Sequence, residues 1–241
     1  CLAPHQSFIR TNRKNVVLVP AGLQPENAVF CRLFGISMTT LTTTTARPPA
    51  KVLITGLGIV GHLAVKLFSL CGYDTFACDP VEKRRNFLIQ SGFKKVIPAI
   101  DVNNPEIKDK IDLVVECSGN EKAVLDACQV LRKRGEIVLL GVPWQRKTDL
   151  YAFDILTQIF HRYAIVRSGW EWEVPTFPTD FLKNSLMENY QSALRWLAEG
   201  KLKVDNLFLK TSPLQAQDAY QMLLNPQSDK LTVVFDWTQV D

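Results

Sequence analysis

Short apolar runs alternate along this chain with stretches whose apolar residues recur at helical spacing. Lys51-Val52-Leu53-Ile54-Thr55 is apolar with little alternation, as expected for a parallel strand covered on both faces. Val60, Leu63, Ala64, Leu67 and Leu70 then share one helical face within residues 59–71. The alternation continues with a strand at 75–78 and a helix at 81–90, and a strand at 95–97 before a polar loop at 101–110. A strand at 112–116 is followed by a helix at 121–131, a strand at 136–140 by a helix near 150–160, and a sixth strand lies at 163–167. Strands separated by helices of this length predict right-handed crossovers and a parallel sheet.

The flanks read differently. Val16 to Val19 is a short extended run, and Pro25 with Glu26 suits the start of a short helix. The tract Thr42 to Thr45 reads as strand or loop, helical only where tertiary packing overrides the β-branched preference. Arg47-Pro48-Pro49-Ala50 punctuates the chain. Beyond the sixth strand, 187–199 predicts a helix stopped by Gly200, 214–224 another helix, and 231–235 a closing strand. Neither flank alone can bury a core, so the two are expected to pack together.

Composition narrows the classes. The 241 residues are 46% hydrophobic, ample for an apolar core without disulfide or metal staples. Lys and Arg number 28 against 24 Asp and Glu, a formal charge of +4 that speaks for solubility and against a nucleic-acid partner. Cys1, Cys31, Cys71, Cys78, Cys117 and Cys128 form neither a CxxC pair nor a tight metal spacing, so free thiols in a reducing cytoplasm are expected. No apolar run reaches the roughly 18 residues of a membrane span. The start at Cys1 lacks a Met and a signal-peptide shape, and the chain is expected to be part of a longer protein.

The sharpest signal is Gly56-x-Gly58-x-x-Gly61, which closes the first strand and opens the following helix. In such a loop the first glycine permits the tight turn, the second lets backbone approach a pyrophosphate, and the third lets helix and strand pack closely. The helix N-terminus adds unpaired N–H groups. Asp79 ends the next strand, about twenty residues on, where a carboxylate grips an adenosine ribose. It favours NAD over NADP, since a 2′-phosphate would meet like charge. Arg84 and Arg85, one helical turn away, either pair with such a phosphate or are ordinary helix surface. An ordinary strand, glycine turn and helix is the competing reading of the loop.

Three further strand ends are polar or glycine-rich: Cys117-Ser118-Gly119, Gly141-Val142-Pro143 and Ser168-Gly169-Trp170. Each alone reads as a plain turn; together they suggest the floor of a cleft for a nicotinamide half. The cluster Trp170 to Glu173 either walls a substrate site or is an exposed turn.

The segments VLITGLGIVGHLAVKLF, CDP at Asp79, VVECSG, VLLGVP and KLTVVFDW resemble the C-terminal two-thirds of the zinc-type medium-chain alcohol and polyol dehydrogenases. That resemblance implies an α/β fold, a Rossmann-type doubly wound parallel sheet over 39–200. Residues 1–38 and 201–241 would be remnants of a mainly β, GroES-like catalytic domain. It implies that Gly56, Gly58, Ile59, Val60 and Gly61 hold the pyrophosphate, Asp79 the ribose, and Arg84 its outer side. Cys117, Ser118 and Gly119 would flank the adenine side. Gly141, Val142, Ser168 and Gly169 would present backbone to the nicotinamide, and Lys230 would reach the pyrophosphate. The implied activity is hydride transfer between NAD(H) and a small-molecule alcohol or carbonyl, in a cytoplasmic homodimer joined through the edge strand near 163–168.

Departures from the family's pattern bear on the chemistry. The stretch carrying the first two zinc ligands and the proton relay has no counterpart in this sequence, nor does the structural-zinc lobe. Cys31, in AVFCRL, falls where relatives place the third ligand. Zinc is therefore expected only in a longer parent chain, and no catalytic residue is assigned. His5 and His161 read as surface, and His62 as capping or packing. An NAD(H)-binding or sensing module without dehydrogenase activity is the alternative. An S-adenosyl-ligand enzyme is disfavoured by the returning C-terminal strand.

Overall fold

The computed structural model describes residues 5–182 and 184–240; Cys1 lies outside the described residues. A short helix α1 (Pro25–Ala28) leads into α2 (Cys31–Thr43). The alternating core follows as β1 (Lys51–Thr55), α3 (Ile59–Leu70), β2 (Asp74–Cys78), α4 (Glu82–Gln90), β3 (Val96–Ile97), β4 (Ile111–Glu116), α5 (Glu121–Val130), β5 (Leu131–Leu139), α6 (Ala152–Arg162) and β6 (Ile165–Ser168). The chain closes with α7 (Leu186–Ala198), β7 (Phe208–Thr211), α8 (Ala216–Leu224) and β8 (Thr232–Phe235).

Strands β1 to β6 form one parallel sheet in the order β3-β2-β1-β4-β5-β6. This is the doubly wound order, with β1 central and the winding reversing between β1 and β4. Alternate strand residues point to opposite faces, and both faces are covered. Val52, Ile54, Val115 and Val138 pack with Ala64 and Phe68 of α3. Leu53, Val114 and Ile137 pack on the other side with Ala127 and Cys128 of α5. That double burial explains why these strands read as unbroken apolar runs.

The flanks do meet. Phe30, Phe34 and Met38 pack with Leu63 and Leu67 of α3, Ala193 and Leu197 of α7, and Leu202, Val204 and Leu207 beyond it. The Phe30 and Phe208 rings lie 5.5 Å apart. A small second sheet pairs β7 with β8 in parallel, with α8 as the crossover. The 38/39 division expected from the sequence falls inside α2.

Tertiary neighbours decide two local segments. Thr42 and Thr43 continue α2, where burial of its apolar face overrides the β-branched preference, while Thr44 and Thr45 leave the helix as that preference predicts. Thr42 Oγ1 donates to the Met38 carbonyl at 2.9 Å, and Thr43 Oγ1 to the Thr39 carbonyl at 2.8 Å. Such back-bonding is itself slightly destabilising, so the helix is held by its buried face, where Phe34, Thr39 and Thr40 are fully buried and Met38 nearly so. Val16 to Val19 opens in extended backbone at Val16 but pairs with no strand, and Leu18 is 84% exposed.

Past its end, α2 is tied to the sheet by a charged cluster. Thr44 Oγ1 donates to Glu136 Oε2 at 2.5 Å, and Arg167 Nε donates to Glu136 Oε1 at 2.6 Å. Arg167 also donates to Thr43 Oγ1 and to Glu173. Phe34→Ala is expected to cost about 3–5 kcal/mol in a denaturant titration; a loss below about 1 kcal/mol would mean that α2 is not part of the shared core.

Candidate functional site

The turn after β1 is shaped by contacts that exclude side chains. Gly56 sits at φ +81°, and a Cβ there would lie 2.7 Å from the Ser118 amide nitrogen. A Cβ on Gly61 would lie 1.8 Å from the Gly56 carbonyl oxygen, so α3 rests directly on the turn. Gly58, the residue capping α3, is the opposite case: a Cβ there would meet nothing within 4 Å. Open space therefore stands before the first turn of α3, where Ile59, Val60 and Gly61 present N–H groups without helical acceptors.

Asp79 fastens this turn to the next. It is 2% exposed, and its Oδ2 accepts from the Leu57 N–H at 2.7 Å while Oδ1 accepts from the Val81 N–H at 2.8 Å. Arg84 Nη1 stands 3.6 Å from Oδ2. Arg85 instead donates to the carbonyls of Asp79 and Pro80, so of the two arginines only Arg84 lines the cleft. Glu116 plays the matching part on the other side of β1. It is buried and accepts from the Ser118 N–H at 2.7 Å, the Gly119 N–H at 3.0 Å and the Thr55 hydroxyl at 3.3 Å.

Between these loops lies a cleft of about 610 Å³ along the C-terminal ends of β1, β2 and β4. It brings together Gly56, Gly58, Asp79, Arg84, Cys117 and Ser118. Burial and the neighbouring Glu116 charge push the Cys117 thiol well up, and burial with Asp79 pushes Cys78 up to about 12, so both thiols are neutral. Asn120 and Lys147 also line it and were not singled out from sequence. Asn120 caps α5, a signal present in its position just past a strand end. Lys147 lies in an irregular segment and donates to the Ser118 carbonyl at 2.7 Å; nothing local marks it.

Gly141, Val142, Ser168 and Gly169 do not line this cleft; they lie at the ends of β5 and β6, beside it in the sheet order. Gly141 N–H donates to the Glu116 carbonyl and Gly169 N–H to the Leu139 carbonyl. Trp170 and Trp172 follow them, both largely exposed. Lys230 lines a separate recess of about 100 Å³ with Gly58 and Arg84, and its Nζ donates to the Asn206 carbonyl at 3.2 Å.

His62 packs, as expected. Its ring is fully buried against Phe87, neither nitrogen has a partner, and burial with nearby Lys66 pushes its pKa down to about 3. His5 meets the Phe235 ring edge-on, and His161 the Phe160 ring. Among the described residues no three His, Cys, Asp or Glu side chains gather as metal ligands. Cys31 stands beside Arg32, whose guanidinium pairs with buried Glu171. A catalytic zinc needs three protein ligands; one thiol next to a guanidinium does not fit it.

Residues 60–183 match the model of a protein family described as "Zinc-binding dehydrogenase". The chain is similar to the sorbitol dehydrogenase of Bacillus subtilis (strain 168), 23% identical over 235 residues that cover 94% of this chain and 62% of that protein. It is also similar to the alcohol dehydrogenase of Geobacillus stearothermophilus, 26% identical over 232 residues, 92% of this chain and 62% of that one. The crystal structure of galactitol-1-phosphate dehydrogenase from Escherichia coli shares the fold with a TM-score of 0.73 at 18% identity, covering 90% of this chain and 62% of that chain. The chain thus spans a little under two thirds of the length of the curated relatives it matches.

The contrast between two glycines is testable. Gly58→Ala should leave the melting temperature within about 2 °C, whereas Gly61→Ala should lower it by more than about 6 °C or prevent folding. Equal effects in a thermal melt would contradict the seating of α3 on the turn.

Proposed function

The chain belongs to the zinc-binding dehydrogenase family, and from that premise we propose that it is the cofactor-holding part of an oxidoreductase passing a hydride between NAD(H) and a small alcohol or carbonyl. The observation that carries this is the open space over Gly58, bounded by the first turn of α3 and the fixed carboxylate of Asp79. The N–H groups of Ile59, Val60 and Gly61 would hold the pyrophosphate, with Gly56 shaping the turn. Lys230, on its flexible stem, would move from the Asn206 carbonyl toward the same phosphates. Asp79 keeps lone pairs for the ribose hydroxyls, Arg84 covers its outer side, and Cys117, Ser118 and Gly119 border the adenine. Backbone at Gly141, Val142, Ser168 and Gly169 would orient the nicotinamide. When bound, NAD(H) supplies or takes the hydride.

Residues 39–200 would form the cofactor unit, with 1–38 and 201–241 belonging to a second, catalytic unit. A cytoplasmic location fits the five described cysteines, all unbridged. No helix among the described residues is long and apolar enough to cross a membrane. The lone thiol of Cys31 favours, as a second reading, a module that binds NAD(H) without turnover; assays with alcohol and carbonyl panels separate the two.

Asp79 is pinned by two backbone N–H groups and cannot withdraw from a 2′-phosphate, so NADH should bind at least about tenfold more tightly than NADPH. Nicotinamide fluorescence titration decides it, and equal or tighter NADPH binding would overturn the assignment. Asp79→Asn should narrow the gap. It is a better probe than Ala, which would leave the Leu57 and Val81 N–H groups without an acceptor.

A homodimer is proposed through β6, the outer strand of the sheet. Phe153, Leu156 and Phe160 on α6, Tyr163 in the turn after it and Ile165 on β6 are exposed, an apolar surface beside an unpaired strand edge. Sedimentation should give a dimer for the wild type and a folded monomer for Ile165→Lys; a dimer retained by the variant would move the interface elsewhere.

A further inference from the structure

A second cavity, of about 220 Å³, lies between α2, α7 and the turn after β6. It is below the roughly 300–1,000 Å³ of sites for drug-sized ligands, so its occupant is small. Val17, Trp172, Leu186 and Met187 give it apolar walls, and Thr11, Asn15 and Thr176 line it with polar groups. Cys31, Arg32 and Tyr190 complete the lining; burial pushes the Cys31 thiol up, and Arg32 and Tyr190 carry donors without acceptors.

Arg32 uses one guanidinium nitrogen, Nη2, on Glu171; its Nε and Nη1 are buried with no partner. Tyr190 is 6% exposed, and its hydroxyl is likewise buried without a partner. The guanidinium stands 5.9 Å from the centre of the Tyr190 ring. Burial raises the Tyr190 pKa, which keeps the hydroxyl protonated and a donor. Each stranded buried donor costs about 1–3 kcal/mol, and native folds rarely leave such groups without a partner. Here three of them, on two residues from separate helices, belong to one cavity.

We propose that this cavity binds the carboxylate end of a small hydroxylated acid, with Arg32 and Tyr190 donating to its oxygens. The planar fork of a guanidinium matches a carboxylate. Glu171 offsets the Arg32 charge, but the cavity's Thr11 and Asn15 belong to the run Arg10-Thr11-Asn12-Arg13-Lys14-Asn15. Arg10, Arg13 and Lys14 are exposed there and form no ion pair among the described residues. Of the nearby acids, Glu173 pairs with Arg167, which also serves Glu136, and Glu188 accepts from the Ser185 hydroxyl and keeps its charge. The preference for an anion therefore rests on the stranded donors of Arg32 and Tyr190, with the exposed cations of the 10–15 run standing at the mouth. Trp172 follows Gly169 in the turn proposed for the nicotinamide. Naming the acid as the substrate rests on the oxidoreductase reading, whereas binding of the acid does not.

Calorimetric titration of the full 241-residue chain without cofactor, using glycerate, glycerol and glycerol 3-phosphate, tests the proposal. Glycerate should bind at least about tenfold more tightly than glycerol and than the phosphate. Tyr190→Phe and Arg32→Lys should each weaken glycerate about tenfold. Both variants should fold: the first removes an unpaired buried hydroxyl and should melt no lower than wild type, and the second keeps a cation opposite Glu171. Glycerate binding no tighter than glycerol, tighter binding of the phosphate, or glycerate affinity unchanged in both variants would overturn the carboxylate site. NADH titrated into the same samples reads the cofactor site separately. Loss of glycerate binding with NADH retained sinks only this proposal, and the reverse sinks only the cofactor reading.

Discussion

Gly61 has no room for a side chain, and the geometry of the site follows from that exclusion. The backbone of α3 must rest on the Gly56 carbonyl, which fixes where the helix begins and aims its N-terminus across the end of β1. Because β1 is central and the winding reverses beside it, the loops after β1 and β4 diverge there and leave a cleft. Two buried carboxylates then hold the loops open in that shape. Asp79 takes the N–H groups of Leu57 and Val81, and Glu116 those of Ser118 and Gly119. Carboxylates survive burial here because N–H donors satisfy them; the same bonds leave the loops little freedom to close into the space a ligand would fill.

What could be read from sequence was whatever the chain encodes at short range. The parallel strands announce themselves because both faces are buried, and the glycine pattern with Asp79 is a spacing rule that needs no distant partner. Legibility fails where tertiary neighbours decide. Thr42 and Thr43 are helical because the face of α2 that carries Phe34 is buried against α3 and α7, which no propensity scale shows. Strand β7 carries only four residues, half of them exposed, and is ordered by pairing with β8. Glu116 looks like the polar end of a strand until the Ser118 and Gly119 amides are seen around it. Lys147 reaches the cleft from a segment with no pattern at all.

Helix α2 joins the two halves of the molecule more tightly than its place in the chain suggests. Its buried face is shared with α3 and α7, its C-terminal end meets the cluster of Glu136 and Arg167, and its N-terminal end holds Glu171 through Arg32. Glu136 and Glu171 are both nearly buried, so removing either arginine would leave a carboxylate without its cation. That loss is typically larger than the net worth of the pair. The turn from Gly169 to Glu173 is thus clamped between β6 and α2 by two ion pairs, and the exposed tryptophans on it are carried by a fixed backbone.

That clamping bears on chemistry. Hydride transfer requires the donor and acceptor carbons to approach within about 3–3.5 Å, and small misplacements are costly in rate. On the proposed reading, a dinucleotide would rest on α3 and a small molecule between α2 and α7, and their registry would be set by how firmly α2 packs on α3. The apolar core of Phe34, Met38, Leu63 and Leu67 supplies that firmness, and interiors packed to this density transmit displacement rather than absorb it. Loosening α2 would therefore degrade the alignment of two ligands before it degraded the affinity for either. A helix whose last two residues, Thr42 and Thr43, sequence preference assigns to strand or loop would, on this physical account, register the two cavities.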